Sequence, residues 1–305
     1  MWFRPTGGAC GYNMKEKIKT YLAWKGTYAP RASINYKLWL NYFVEVCGDK
    51  PIEEYDSSDV VKYQAWLESR YKSYSVKYAI IILKNFFKFY KHQDYKCLES
   101  WLIKTPTIQV KSHRAVTEDE FVRIVSVVPK NTFISIRDLV IIRLLWDTGM
   151  RLSELTDLDI THINESKHST IILTKKAGIK RMVIWSKETH QLLIRYIGMR
   201  LKLEKTNGAS ALFVGKGKNK TWSLRLTARS VERKVKYYID KAGIKERITP
   251  HSFRHGWAHK RRDQNAPLAF IQRGLGHISP VSTFIYQNYH DWEFEKSAKK
   301  YLKAA

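Results

Sequence analysis

Between Ser73 and Tyr90 the apolar residues Tyr78, Ile81, Ile82, Phe86 and Phe89 return every three or four positions, the repeat of an α-helix with one face in a core. Lys77, Lys84, Lys88 and Lys91 fall mostly outside that stripe, on a face left for solvent or phosphate. The same period, less complete, runs through Lys15–Trp24 and through Ser33–Val46, where Ile34, Tyr36, Leu38, Trp39, Tyr42 and Phe43 carry it. Ser57-Ser58-Asp59 offers caps for a further helix, Val60–Arg70. The pattern lapses at Ile103–Arg114, where Pro106 interrupts alternating polar and β-branched residues. It resumes at Thr117, which forms a capping box with Glu120. The expected organisation is a flexible N-terminus over 1–13, a helical domain over 14–105, a linker over 106–116 and a second domain over 117–305 that ends in a tail helix.

In the second domain, Asn131–Asp147 is apolar nearly all round and reads as a buried helix. Glu154–Leu158 ends a short one. Thr170–Leu173 and Arg181–Trp185 are β-rich and flank Lys175-Lys176-Ala177-Gly178-Ile179-Lys180, a hairpin signal. Lys187–Lys205 and Thr227–Ala242 read as helices, with a short strand at Leu212–Val214 between them. Helices divided by Pro250, Asn265-Ala266-Pro267 and Pro280 complete the chain. The fold class expected is mainly α, the second domain being α+β with one small antiparallel sheet.

Charge narrows the partners. The 305 residues include 54 Lys plus Arg against 28 Asp plus Glu, a net +26, with +7 in residues 1–110 and +19 in residues 111–305. So large a surplus repels itself and calls for a polyanion: nucleic acid first, since basic residues that neutralise its phosphates release counterions, with a membrane surface the alternative. Both halves are basic, as a two-domain clamp requires. The longest apolar runs, such as Ala79–Leu83 and Leu139–Ile142, are far short of the roughly 18 residues of a membrane span, and Met1–Asn13 has no apolar signal core. Cys10, Cys47 and Cys97 lie far apart, which argues against a disulfide framework or a zinc site and for a reducing, cytoplasmic setting. Gly215-Lys216-Gly217-Lys218 lacks phosphate-loop spacing. Lys216 and Lys218 read instead as a basic loop near DNA, and Lys260-Arg261-Arg262 as phosphate contacts.

Four segments carry chemistry: Thr148-Gly149-Met150-Arg151-Leu152-Ser153-Glu154-Leu155, Thr249-Pro250-His251-Ser252-Phe253-Arg254-His255, Leu275-Gly276-His277 and Ser282-Thr283-Phe284-Ile285-Tyr286, with Tyr286 nine residues after His277. In this order the set resembles the tyrosine recombinase (integrase) family over about Thr117 to Tyr286. Arginine's planar, permanently charged fork suits a phosphate gaining negative charge, and the resemblance makes Arg151 and Arg254 the two clamps, with Glu154 supporting Arg151. His251, one helical turn before Arg254, handles protons, and His277 donates a hydrogen bond to a non-bridging oxygen. Tyr286 is the implied nucleophile, forming a 3′-phosphotyrosyl link, with Tyr289 its rival. A hairpin lysine protonates the leaving 5′ oxygen. Five residues before Arg181 stands Lys176, the favoured position, with Lys175 adjacent on the opposite strand face. Lys175, Lys180 and Arg181 are expected on the DNA backbone.

The resemblance further implies a SAM-like core-binding fold for the N-terminal domain, a homotetramer acting on two sites with a dimer on each, no metal and no other cofactor. Two positions depart from the family pattern. Phe253 stands where Leu is frequent, and Asn265 where many relatives have Gly. Asn is the next-best residue for a left-handed cap. Integration or excision of a mobile element is the first biological expectation. Xer-type dimer resolution, transposition, a type IB topoisomerase and a non-catalytic basic DNA-binding protein are the alternatives.

Overall fold

Helix α4 (Ser73–Lys91) buries Val76, Ala79, Ile80, Ile82, Leu83, Phe86, Phe87 and Tyr90. This stripe is turned round the helix from the one read in the sequence, since Tyr78 is 40% exposed and Ile81 and Phe89 are half-buried. The helix is apolar over most of its circumference, so period alone leaves its rotation open, and packing selects the face with Ile80, Leu83 and Phe87. The computed structural model describes residues 13–108, 114–174, 178–203, 210–216, 222 and 224–284. The chain divides into two compact units, Met1–Lys111 and Ser112–Ala305.

In the first unit α4 packs against α2 (Pro30–Cys47) and α3 (Ser57–Glu68), while α1 (Met14–Tyr28) packs against α2. Tyr21, Phe43, Tyr63, Phe86 and Phe87 form an aromatic core, with edge-to-face pairs such as Tyr21–Phe86 at 5.3 Å and Phe43–Tyr63 at 5.2 Å between ring centroids. The buried phenols keep polar partners: Tyr90 donates to the Lys17 carbonyl at 2.6 Å and Tyr63 to that of Trp39 at 2.7 Å. Helix α3 begins three residues earlier than expected, because Asp56 caps it and Asp59 returns the bond in a capping box.

In the second unit α5 (Glu118–Ser126) opens on the expected Thr117–Glu120 capping box. Helix α6 (Phe133–Thr148), capped by Thr132 and Ser135, is the buried helix. It is enclosed by α5, α8 (Lys187–Leu201), α9 (Ala228–Lys241) and α10 (Pro250–Asp263), which is why nearly every side of it is apolar. The hairpin pairs β2 (Ser169–Thr174) with β3 (Ile179–Ile184), and β1 (Ile163–Asn164) adds to the outer edge of β2. Ile172 and Val183 point into the core with Thr170, Thr174 and Arg181, and Ile171, Leu173, Met182 and Ile184 point out. A second sheet, β4 (Val214–Gly215) with β5 (Leu224–Arg225), corrects the expectation of one sheet. Two-residue strands are too short to show a period in the sequence. Helices α7 (Leu152–Thr156), α11 (Leu268–Leu275) and α12 (Val281–Phe284) complete the described elements. Asn265 is left-handed at φ 59°, as its place after α10 anticipated. Among the described residues no helix is long and apolar enough to cross a membrane.

Gly149 terminates α6 at φ 58°, and a Cβ there would meet the Trp257 ring at 3.0 Å. Gly149→Ala is expected to lower stability by about 2 kcal/mol, combining left-handed strain with displacement of that ring. Denaturant unfolding measures it, and an unchanged midpoint would contradict this account of the turn.

Candidate functional site

The turn at Gly149 delivers Arg151 as the N-cap of α7. Glu154, one helical turn on, accepts from the Arg151 backbone N–H at 2.7 Å and from its Nη1 at 3.0 Å. Glu154 is buried, whereas the Arg151 side chain remains 34% exposed, so its guanidinium is held from behind and open in front. Arg181 grips the same carboxylate, Nη1 to Oε1 at 2.9 Å and Nη2 to Oε2 at 2.7 Å. Burial alone would raise the Glu154 carboxyl, but the bonds and charge of Arg181, with those of Arg151, outweigh it and hold the carboxyl at about 2.

Thr249 and Ser252 form a capping box at the start of α10, and Pro250 occupies its first turn. His251 is exposed there, its ring edge-on to the buried His255 at 4.7 Å. One turn on, Arg254 is only 1% exposed. It donates from Nη1 to the Gly149 carbonyl at 2.8 Å and from Nη2 to the Leu275 carbonyl at 2.6 Å. Those carbonyls lie two residues before Arg151 and two before His277. One side chain thereby ties three of the four motif segments together. Carbonyl partners fix the plane of the guanidinium without cancelling its charge.

Gly276 ends α11 at φ 64°, with Arg181 Nη1 only 2.8 Å from where a Cβ would lie. This turn presents His277, whose Nδ1 lies 2.8 Å from the Thr283 hydroxyl. Burial, then the positive charges of Arg254, Arg151, Arg181 and His251, push the imidazole down to about 4. It is neutral at pH 7; in the tautomer whose Nδ1 accepts from Thr283, the ring proton sits on Nε2, the arrangement of a hydrogen-bond donor. Because the unfolded imidazole takes up a proton near pH 6.5 and the folded one near 4, stability is expected to fall as pH drops through that window. His277→Asn should flatten that part of a melting-temperature profile. An equal slope in the variant would mean that other groups cause it.

The remaining predicted residues separate into groups. Lys180 is exposed on the outer face of the sheet, and Lys216 is exposed with its Nζ 5.2 Å from the Trp222 ring centre. Lys260 pairs with Glu118 at 2.6 Å, Arg261 donates to Gln264, and Arg262 pairs with Asp263 at 2.8 Å. These three sit at the far end of α10, about 14 to 17 Å along its axis from His251, and the structure does not bring them to the cluster. Arg181 requires a correction. Expected on the DNA backbone, it is buried and committed to Glu154, to the Thr174 hydroxyl at 2.6 Å and to the Gly274 carbonyl at 2.9 Å. It lies on the inward-facing alternate of β3, opposite Ile172. Lys175, Lys176, Lys218 and Tyr286 lie outside the described residues. Sequence reasoning missed Thr174 and Thr283, ordinary threonines that reach the site only through tertiary contacts. Among the described residues no cluster of three or more His, Cys, Asp or Glu could hold a metal.

The site therefore gathers Arg151, Arg254, His251 and His277 with one carboxylate shared between Arg151 and Arg181, an arrangement suited to an anion. Comparison with known proteins agrees with this chemistry. Residues 114–292 match the phage integrase family, and residues 15–97 match the phage integrase N-terminal SAM-like domain. The tyrosine recombinase XerA of Pyrococcus furiosus is 32% identical over 89% of this chain and 87% of its own length. The tyrosine recombinase XerC of Syntrophus aciditrophicus is 28% identical over 82% of each chain. The Tn1549 transposon integrase, solved with transposon right end DNA, shares the fold at a TM-score of 0.76 and 18% identity, covering 96% of this chain and 100% of that one. With the family matched across both units, the chain belongs to the phage integrase family of tyrosine recombinases, enzymes that break and rejoin DNA.

Proposed function

We propose that this protein carries out site-specific strand exchange on duplex DNA through a covalent 3′-phosphotyrosyl intermediate, moving a mobile element by integration and excision. The observation that carries the proposal is Arg254, whose two carbonyl partners gather the Arg151, His251 and His277 segments around one point. In the cutting step the Tyr286 phenol oxygen bonds to phosphorus while the bond from phosphorus to the 5′ oxygen breaks. The phenol proton passes to His251, and Lys176 gives a proton to the departing 5′ oxygen. Arg151 and Arg254 stabilise the charge that builds on the non-bridging oxygens, and Nε2 of His277 donates to one of them. In the joining step a 5′ hydroxyl from the partner duplex attacks the same phosphorus and releases the phenol. The phosphodiester energy is kept in the protein–DNA link, so the exchange itself calls for no nucleotide hydrolysis. Tyr286 follows Thr283 by three positions, a Cα-to-Cα reach of at most about 11 Å, and Thr283 touches His277.

The basic charge of both units supports duplex binding, and the reading extends to a tetramer with a dimer on each of two sites. A second reading, Xer-type dimer resolution, draws support from the likeness to XerA and XerC. A nicked suicide duplex bearing the target site tests the chemistry. Denaturant-resistant protein–DNA adduct is expected, and its absence would end the catalytic reading. A supercoiled plasmid separates the classes: exchange that depends on two matching sites supports a recombinase, and relaxation of any plasmid by single molecules supports a type IB topoisomerase. Among recombinases, exchange between sites on separate molecules favours integration, and exchange confined to sites within one circle favours resolution.

A further inference from the structure

We infer that Arg181 is a positioning residue for strand exchange: through Glu154 it fixes the guanidinium of Arg151, and through the Gly274 carbonyl it fixes the turn that presents His277. The inference rests on the catalytic reading above. Its geometry is that of a hub. Nη1 and Nη2 meet the two oxygens of Glu154 as a matched fork at 2.9 and 2.7 Å, the arrangement that sets both the plane and the direction of a carboxylate. That carboxylate in turn receives the backbone N–H and Nη1 of Arg151. Thr174 completes the arrangement, accepting from Arg181 at 2.6 Å and donating to Glu154 at 3.1 Å. On the other side Nε donates to Gly274 at 2.9 Å, and Nη1 lies so close to Gly276 that a Cβ there would stand 2.8 Å away.

Nε and both Nη atoms of the buried Arg181 are directed at the Gly274 carbonyl, Thr174 and Glu154, so it acts through the groups it holds. It joins β3 to α7 and to the end of α11, the two elements carrying Arg151 and His277. Its own charge also faces His277, alongside those of Arg254 and Arg151. Lysine keeps the charge but offers one point rather than a planar fork, so it should not substitute.

The test compares Arg181→Met, Arg181→Lys, Glu154→Gln and the double variant Arg181→Met with Glu154→Gln in the full chain. Single-turnover cleavage of the suicide duplex is measured beside melting temperature and duplex affinity. Removing Arg181 alone leaves the buried Glu154 carboxylate with only Arg151 and Thr174 of the partners named above and lowers the melting temperature, whereas the double variant relieves that defect. Each single variant, lysine included, is expected to cleave about 100-fold more slowly than the parent, with duplex affinity within about twofold. The double variant is expected to regain melting temperature yet cleave no slower than the slower single variant. Recovery of cleavage together with melting temperature would show a purely structural role, and multiplied losses would show that Arg181 does not act through Glu154. Either result overturns the inference. A readout independent of activity accompanies these: in nitrogen-labelled arginine NMR the Nη signals of Arg151 should be resolved by hindered rotation in the parent and merge in the double variant. Unchanged signals would overturn the inference even if the parent itself forms no adduct, an outcome that separately ends the catalytic reading.

Discussion

Tyr286→Phe is expected to reduce covalent attachment to a suicide duplex by about ten-thousand-fold or more while leaving duplex affinity within about twofold. The substitution removes one phenol oxygen and keeps the ring. Affinity is expected to come from phosphate contacts spread over a chain of net charge +26, a charge the substitution leaves unchanged. A free phenol ionises at a pKa of about 10, so attack at neutral pH requires cationic neighbours. Without the oxygen no other atom of residue 286 can form the link. Gel shift under native conditions measures binding, and resistance to denaturant measures the adduct. An adduct of undiminished yield would move the nucleophile elsewhere, with Tyr289 the next residue to examine.

Arg254→Lys should cost about a thousand-fold in cleavage rate, a larger loss than a net charge unchanged by the substitution would suggest. The guanidinium uses two nitrogens on the carbonyls of Gly149 and Leu275 and stays in one plane. An ammonium on a flexible stem cannot hold both carbonyls and meet phosphate in a fixed direction. The side chain is only 1% exposed, so a lysine there also leaves a carbonyl oxygen unsatisfied, and a lower melting temperature accompanies the lost rate. The two effects separate on Gly149→Ala, which disturbs the same turn without removing the arginine. That variant should share the stability loss and retain much more of the activity. Equal rates for Arg254→Lys and the parent in single-turnover cleavage would remove Arg254 from the phosphate.

How far the sequence could be read depended on whether a feature is local. The capping box of Thr117 and Glu120 is complete within four residues, and the structure shows it where expected. Helix α6 was legible for a different reason: a helix enclosed on all sides needs apolar residues on all sides, and its composition shows that directly. Helix α4 was legible as a helix but not in its rotation. Tyr78 and Ile81 fit a helical period as well as Ile80 and Leu83 do, and only the surface offered by α2 and α3 decides between them. The motif residues were legible as types, because two arginines and two histidines at family spacing are rare together. Their support was not. Nothing in Arg181 distinguishes a buried fork from a DNA contact until the alternation of β3 is set against Glu154, 27 residues away in the chain. Thr283 was hidden in the same way, a hydroxyl whose meaning lies in the imidazole beside it.

On the proposed mechanism, side chains from four separated segments meet at one phosphorus atom. A crystal structure of the full chain on its target duplex, with vanadate replacing the scissile phosphate, tests it most directly. Arg151, Arg254 and His277 are expected within hydrogen-bonding distance, about 3 Å, of the equatorial oxygens, with the phenol of Tyr286 in line with the 5′ oxygen across the vanadium. A structure in which Arg151 or His277 faces away from those oxygens, or in which a different group holds the apical position, would contradict it.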